Sequence, residues 1–162
     1  MRKVYPVIQV ILVVCLLVFF YVTLQQPKAS QRPFDQVQAE TVSSLSTDVM
    51  ILQDNISIKR FTKLDPQAYQ QVVYYKHSDP MVADELILVQ FKDLGQAGEF
   101  SDKIQQHIDD QKEIFEGYIP EEAAKLNSSI LDIQANYALF VVSDSAKSID
   151  EQFLQSLKEG QS

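Results

Sequence analysis

The sequence predicts an α+β protein in two parts. An N-terminal transmembrane helix is followed by a two-layer sandwich, a roughly four-stranded antiparallel or mixed sheet with helices packed on one face. Three observations lead there. Residues 4–24 carry no charge. The remainder alternates segments of helical period with short runs of β-branched and aromatic residues. The part beyond the apolar stretch, about 130 residues, is a normal size for one domain with one core. The resulting boundaries are a cytoplasmic tail at 1–3, the span at 4–24, a linker at 25–33 and an extracytoplasmic domain at 34–162.

Fifteen of the 21 residues from Val4 to Leu24 are Val, Ile, Leu or Phe. As a helix they reach about 31 Å, close to the thickness of the hydrocarbon core. Their summed insertion preference is roughly −5 to −9 kcal/mol. Pro6 sits in the first turn, where its missing N–H costs little. Arg2 and Lys3 precede the span and the next basic residue is Lys28, so the positive-inside bias puts the N-terminus in the cytoplasm. A cleaved signal peptide would have a shorter apolar core and a small-x-small site; Ala29-Ser30 is a poor candidate for one. A lipoprotein would end its apolar run at the cysteine, but Leu16 to Val22 continue past Cys15.

The net charge is −8, and beyond the span 12 basic residues face 22 acidic ones, or −10. That balance disfavours nucleic acid, whose phosphates need Lys and Arg, and disfavours lying flat on anionic lipid. The single cysteine, Cys15, lies in the apolar stretch, so the outer domain has neither a disulfide nor a thiolate metal site.

Along the outer segment, Phe34, Val37, Thr41, Val42 and Leu45 share a helical face. Val49–Leu52 is a strand or a helix end, and Ile56–Phe61 is ambiguous. Asp65-Pro66 marks a turn or helix start. Val72–Lys76 and Leu86–Phe91 read as strands, the second apolar enough for burial on both faces. Asp93 with Gln96 is a capping-box pair for a long amphipathic helix through Ala97, Phe100, Ile104, Ile108, Gln111 and Phe115, stopped by Gly117. Pro120 opens a short helix. Ile130–Gln134 and Tyr137–Val142 form a hairpin turning at Ala135-Asn136, where Asn tolerates a left-handed backbone. Ser145 caps a last helix carrying Ala146, Ile149, Phe153 and Leu157 on one face.

Three ordered blocks carry a family resemblance. The first is Leu64-Asp65-Pro66, Val73-Tyr74-Tyr75 and Ala83-Asp84-Glu85-Leu86-Ile87-Leu88-Val89. The second runs from Gln111-Lys112 through Phe115, Tyr118 and Pro120 to Glu122. The third is Asn136-Tyr137, then Leu139-Phe140-Val141-Val142-Ser143-Asp144. Together, over about residues 49–157, they resemble the bacterial family called domain of unknown function 4358. The resemblance implies an exported, membrane-tethered domain of Firmicutes type, without assigned catalytic roles. Many members have Gly where Ala135 stands, and some have Gly where Ile119 stands.

Residues that could carry chemistry are few. Asp84-Glu85 is an acidic pair at the mouth of a strand, suited to cation binding or acid–base work. Adjacent strand residues point to opposite faces, so the simpler expectation is that Asp84 caps a turn and Glu85 is solvated or paired with a lysine. His77 with Asp79, and His107 with Asp110 and Gln111, match no zinc spacing, and both histidines are expected at the surface. Phe115, Tyr118 and Tyr137 line a ligand pocket or pack in the core. Gly95-x-x-Gly98 is too sparse to cradle a phosphate. The sequons at Asn55 and Asn127 carry weight only in a glycosylating host.

No catalytic, cofactor-binding or metal residue is assigned, and no cofactor is expected. The function expected is a membrane-anchored extracytoplasmic binding or interaction domain, with a cell-envelope protein or small ligand as partner and no nucleic acid. The alternatives are a hydrolase-like envelope enzyme using Asp84, Glu85 and His77, and a passive assembly or spacer element.

Overall fold

The computed structural model describes residues 12–17, 29–46 and 48–158. Its elements in chain order are α1 (Phe34–Thr41), β1 (Met50–Leu52), α2 (Asn55–Thr62), a 3₁₀ turn (Pro66–Ala68), β2 (Gln71–His77), β3 (Glu85–Gln90), α3 (Gln96–Glu116), α4 (Pro120–Asn127), β4 (Ile130–Gln134), β5 (Tyr137–Val142) and α5 (Ala146–Lys158). The span expected at 4–24 falls mostly outside the described residues. Of it, residues 12–17 are helical and exposed, and among the described residues no helix is long and apolar enough to cross a membrane.

The strands form one antiparallel sheet in the order β1-β2-β3-β5-β4. Strands β3 and β5 lie at its centre because they are apolar at nearly every position. Glu85 pairs with Lys76 on one side and Val142 on the other, and Gln90 pairs with Gln71 and Tyr137. The fifth strand is Met50–Leu52, with Met50 opposite His77 and Leu52 opposite Tyr75.

The expected two-layer sandwich with helices on one face is corrected here: helices cover both faces. Strand alternation sends Ile87, Val89, Ala138 and Phe140 to one side, where they meet Ile58 of α2, Phe100, Ile104 and Ile108 of α3 and Leu126 of α4. Leu86, Leu88, Leu139 and Val141 go to the other, where Phe34 and Val37 of α1 and Ile149 and Phe153 of α5 bury them. Two central strands apolar on both faces need two covers, since one exposed face would leave four large aliphatic side chains in water.

Local signals explain the element ends. Asp54 accepts from Ser57 N at 2.8 Å to cap α2, and the helix stops at Lys63, which takes φ 60°. Before α3, Gln96 Oε1 accepts from Asp93 N, while Asp93 Oδ1 accepts from Gly95 N at 2.6 Å. This corrects the expected capping box: α3 begins after Gly95, not Asp93, and the Asp93 side chain takes the Gly95 N–H rather than that of Gln96, so only the Gln96 half of the box is made. In the β4–β5 turn the positive φ falls on Ala135, at 54°, and not on Asn136.

The turn is also where the chain enters the domain. Ser30 N donates to Asn136 Oδ1 at 2.7 Å, and Asn136 Nδ2 returns a bond to Ser30 O. Tyr137 Oη donates to Arg32 O at 2.8 Å, and its ring stacks on Phe34 with 12° between planes. Ser30 and Arg32, which the sequence places in a linker, are thus fastened to the sheet.

Candidate functional site

The polar groups of interest gather at the opposite end of the sheet, where β2 finishes and β3 begins. Glu85 opens β3 and shares its face with Ile87 and Val89, under α3. Tyr74, opposite Ile87 in β2, points the same way. His107 lies on the buried stripe of α3, three residues from Ile104. Tyr74 Oη donates to Glu85 Oε2 at 2.7 Å, and Glu85 Oε1 lies 2.7 Å from His107 Nε2. Relative exposures are 0 % for Tyr74, 1 % for Glu85 and 3 % for His107.

Burial alone would push the Glu85 carboxyl up. The His107 ring, its hydrogen bond, the Lys76 ammonium and the Tyr74 hydroxyl outweigh it, and the group is held below its ordinary range. Burial, and then the Glu85 charge beside it, drives the Tyr74 hydroxyl strongly upward. An ionised carboxylate can only accept, so Nε2 of His107 carries the hydrogen. The Phe140 ring stands edge-on to the imidazole at 6.1 Å.

The expectations for these residues are corrected accordingly. His107 is not a surface histidine, and Glu85 is not solvated; its carboxylate hydrogen-bonds Tyr74 and His107 and forms no salt bridge with a lysine. Both carboxylate oxygens are occupied and enclosed, so Glu85 serves as a bridge between α3 and the sheet. The signal was present in the sequence: position 107 falls on the same helical stripe as Ile104 and Ile108.

Asp84 belongs to a separate network. Lys125 Nζ of α4 bonds Asp84 Oδ1 at 2.7 Å and Glu122 Oε1 at 3.2 Å. Glu122 Oε2 accepts from Ala83 N at 2.7 Å. Burial disfavours the Lys125 charge, but the two carboxylates more than offset it and hold the ammonium above its ordinary range. This half-buried knot clips the loop between β2 and β3 onto α4. Neither Lys125 nor its role was singled out from sequence, because the contact joins residues 41 apart.

Beside the knot is a cleft of about 210 Å³ lined by His77, Asp84, Glu85, Ser143 and Ser145, with Val141 and Ile149 also in its wall. His77 Nδ1 accepts from Asp79 N at 3.0 Å, so the His77/Asp79 pair makes a local turn. The structure therefore brings His77, Asp84 and Glu85 to one hollow, although Asp84 is ion-paired and the Glu85 carboxylate is engaged elsewhere. The volume suits a small polar group and is below the roughly 300 Å³ typical of pockets for larger ligands. Among the described residues no group of three His, Cys, Asp or Glu could hold a metal ion.

The three aromatics do not form a pocket. Phe115 lies in the core beneath α3, Tyr137 is buried on the other face of the sheet, and Tyr118 is 61 % exposed.

A family model described as "Domain of unknown function (DUF4358)" matches residues 43–143. The chain belongs to this family. The matched range of DUF4358 runs from just before β1 to just after β5 and holds every residue of the Tyr74–Glu85–His107 chain and of the Asp84 knot. It leaves out α1 and α5, beginning six residues before the range 49–157 read from sequence and ending fourteen residues before its end. No curated protein and no solved structure matches the chain.

Proposed function

We propose that this protein is a membrane-anchored extracytoplasmic binding domain that presents the His77/Asp84/Ser145 cleft to an envelope protein or small polar ligand. One observation carries the reading: the chain enters the domain at Asn136, at one end of the sheet, and the cleft lies at the other. The six residues of β5 separate them by about 20 Å. An anchor at 4–24 therefore leaves the cleft facing away from the bilayer. The length and lack of charge of that segment, with Arg2 and Lys3 before it, support the anchor and its orientation.

The test uses the full-length chain, tagged and solubilised in mild detergent. Ser145→Trp fills the cleft from an exposed position. The wild type retains a discrete envelope component, and the variant loses it while melting within a few degrees of the wild type. Equal retention by both overturns the reading. A reporter fused after Ser162 that is active only in the cytosol overturns the placement.

A second reading, an envelope hydrolase, is favoured by the meeting of His77 and Asp84 with the Ser143 and Ser145 hydroxyls in one hollow. It requires turnover of an ester, amide or phosphoester probe that His77→Ala abolishes without unfolding the protein.

A further inference from the structure

We propose that the outer face of α2 is a second membrane contact, one that docks on anionic lipid headgroups and holds the domain against the bilayer beside its tether. This rests on the anchor at 4–24 argued above.

The domain is acidic overall, but the balance reverses locally. Lys59, Arg60 and Lys63 are all exposed, and no acidic residue stands between Asp54 and Asp65. Asp54 is engaged in capping Ser57, and Asp65 caps the 3₁₀ turn while reaching Lys59 at only 3.9 Å. A pair that long and exposed neutralises little. The exposed Lys92 adds a fourth cation, its Nζ bonded to Gln67 O at 2.6 Å.

Large apolar side chains are interleaved with these charges. Ile56 is 78 % exposed and Phe61 37 %, with the Arg60 guanidinium 5.4 Å from the Phe61 ring centroid. Ile58 and Thr62 form the buried side of the same helix. One face is thus spent on the core; the outer face carries Ile56 among the basic groups, with Phe61 at its margin.

Chain length and continuity place this face at the bilayer. Ser30 is pinned to Asn136, and it follows Leu24 by six residues, which span at most about 20 Å. A groove of about 360 Å³ runs from Phe34 and Asp35, where the chain enters, to Asn55 and Pro66. A second hollow of about 410 Å³ continues from Asn55 and Pro66 to Ile56, Lys59 and Arg60. The basic patch is therefore contiguous with the tether and remote from the cleft.

The test is made on the full chain in the Cys15→Ser background, reconstituted into vesicles of phosphatidylcholine alone or with phosphatidylglycerol. A fluorophore is placed at Ile56→Cys and, separately, at Ser145→Cys, with quenching by lipids spin-labelled near the headgroup. The label at 56 is quenched severalfold more strongly in the phosphatidylglycerol vesicles, and high salt reverses this. The docked-to-free ratio falls about fivefold for each charge removed among Lys59→Gln, Arg60→Gln and Lys63→Gln. The label at 145 stays unquenched.

Equal quenching at 56 in both lipids, or stronger quenching at 145, overturns the docking. So does a label at 56 that is unquenched in vesicles but crosslinks to a protein in native membranes. Alkaline carbonate separates the two ideas. A chain that resists extraction yet shows no lipid-dependent quenching overturns the docking alone; a chain that is extracted overturns the anchor and the docking with it.

Discussion

The Glu85 carboxylate and the His107 imidazole lie 2.7 Å apart with side-chain exposures of 1 % and 2 %. They join the start of β3 to α3 at one end of the core. Removing one partner of such a pair strands the other without water, at a cost on the order of 3–5 kcal/mol. His107→Ala should therefore lower the denaturation midpoint sharply, by more than about 10 °C in Tm. The double change Glu85→Leu, His107→Leu should cost much less than the two single changes summed, since two buried polar groups leave together. Additive losses in urea melts would show that the two residues are not coupled.

The same pair sets one side of the pH profile. The folded Glu85 group titrates below its unfolded value. It contributes stability above the ordinary glutamate pKa of about 4.3, and that stability is lost as pH falls.

Asp150 on α5 acts in the opposite sense. Burial, then the Asp132 and Glu151 charges, raise its carboxyl to about 6. Its Oδ1 is buried without a hydrogen-bond partner, which further disfavours the charged form. A folded pKa above the unfolded one gives stability that is complete below about pH 4 and lost as pH rises through about 6. Asp150→Asn should thus raise Tm at neutral pH and have little effect at acid pH. Thermal melts across this range check it; a gain that persists unchanged under acid conditions would contradict it.

Ala135 holds φ 54° in the β4–β5 turn. A left-handed backbone costs an L-residue with a Cβ roughly 1–2 kcal/mol, and glycine escapes most of this. Ala135→Gly should stabilise the protein by about 1 kcal/mol, a few degrees in Tm. The Ser30–Asn136 bonds should survive, as read by unchanged amide protection at Ser30. A destabilised variant would mean that the turn is shaped by its tether and not by its own φ angles.

Much of the fold was legible from residue order. Strands β4 and β5 have the expected bounds, and α3 follows the stripe from Phe100 to Phe115, because alternation and helical period are local properties. The second helical layer was missed although its signal was present: Leu86–Val89 is apolar at every position, which calls for cover on both sides. Of the candidate site, Asp84, Glu85 and His77 all border one hollow, but the Glu85 carboxylate is bonded under α3 and Asp84 is taken by Lys125. Their partners Lys125 and Tyr74 could not be read from spacing, since each contact joins residues on different elements.

What the residues alone determined is the periodicity of each segment, the caps that end it and the uncharged stretch at 4–24, all fixed by nearest neighbours along the chain. Only the tertiary structure decided that His107 would hydrogen-bond a buried Glu85, that Asp84 would be taken by Lys125, and that the chain would enter at Asn136, far from the cleft. Those outcomes depend on strand register and on which helix face meets the sheet. Packing selects them by removing water from pairs distant in sequence.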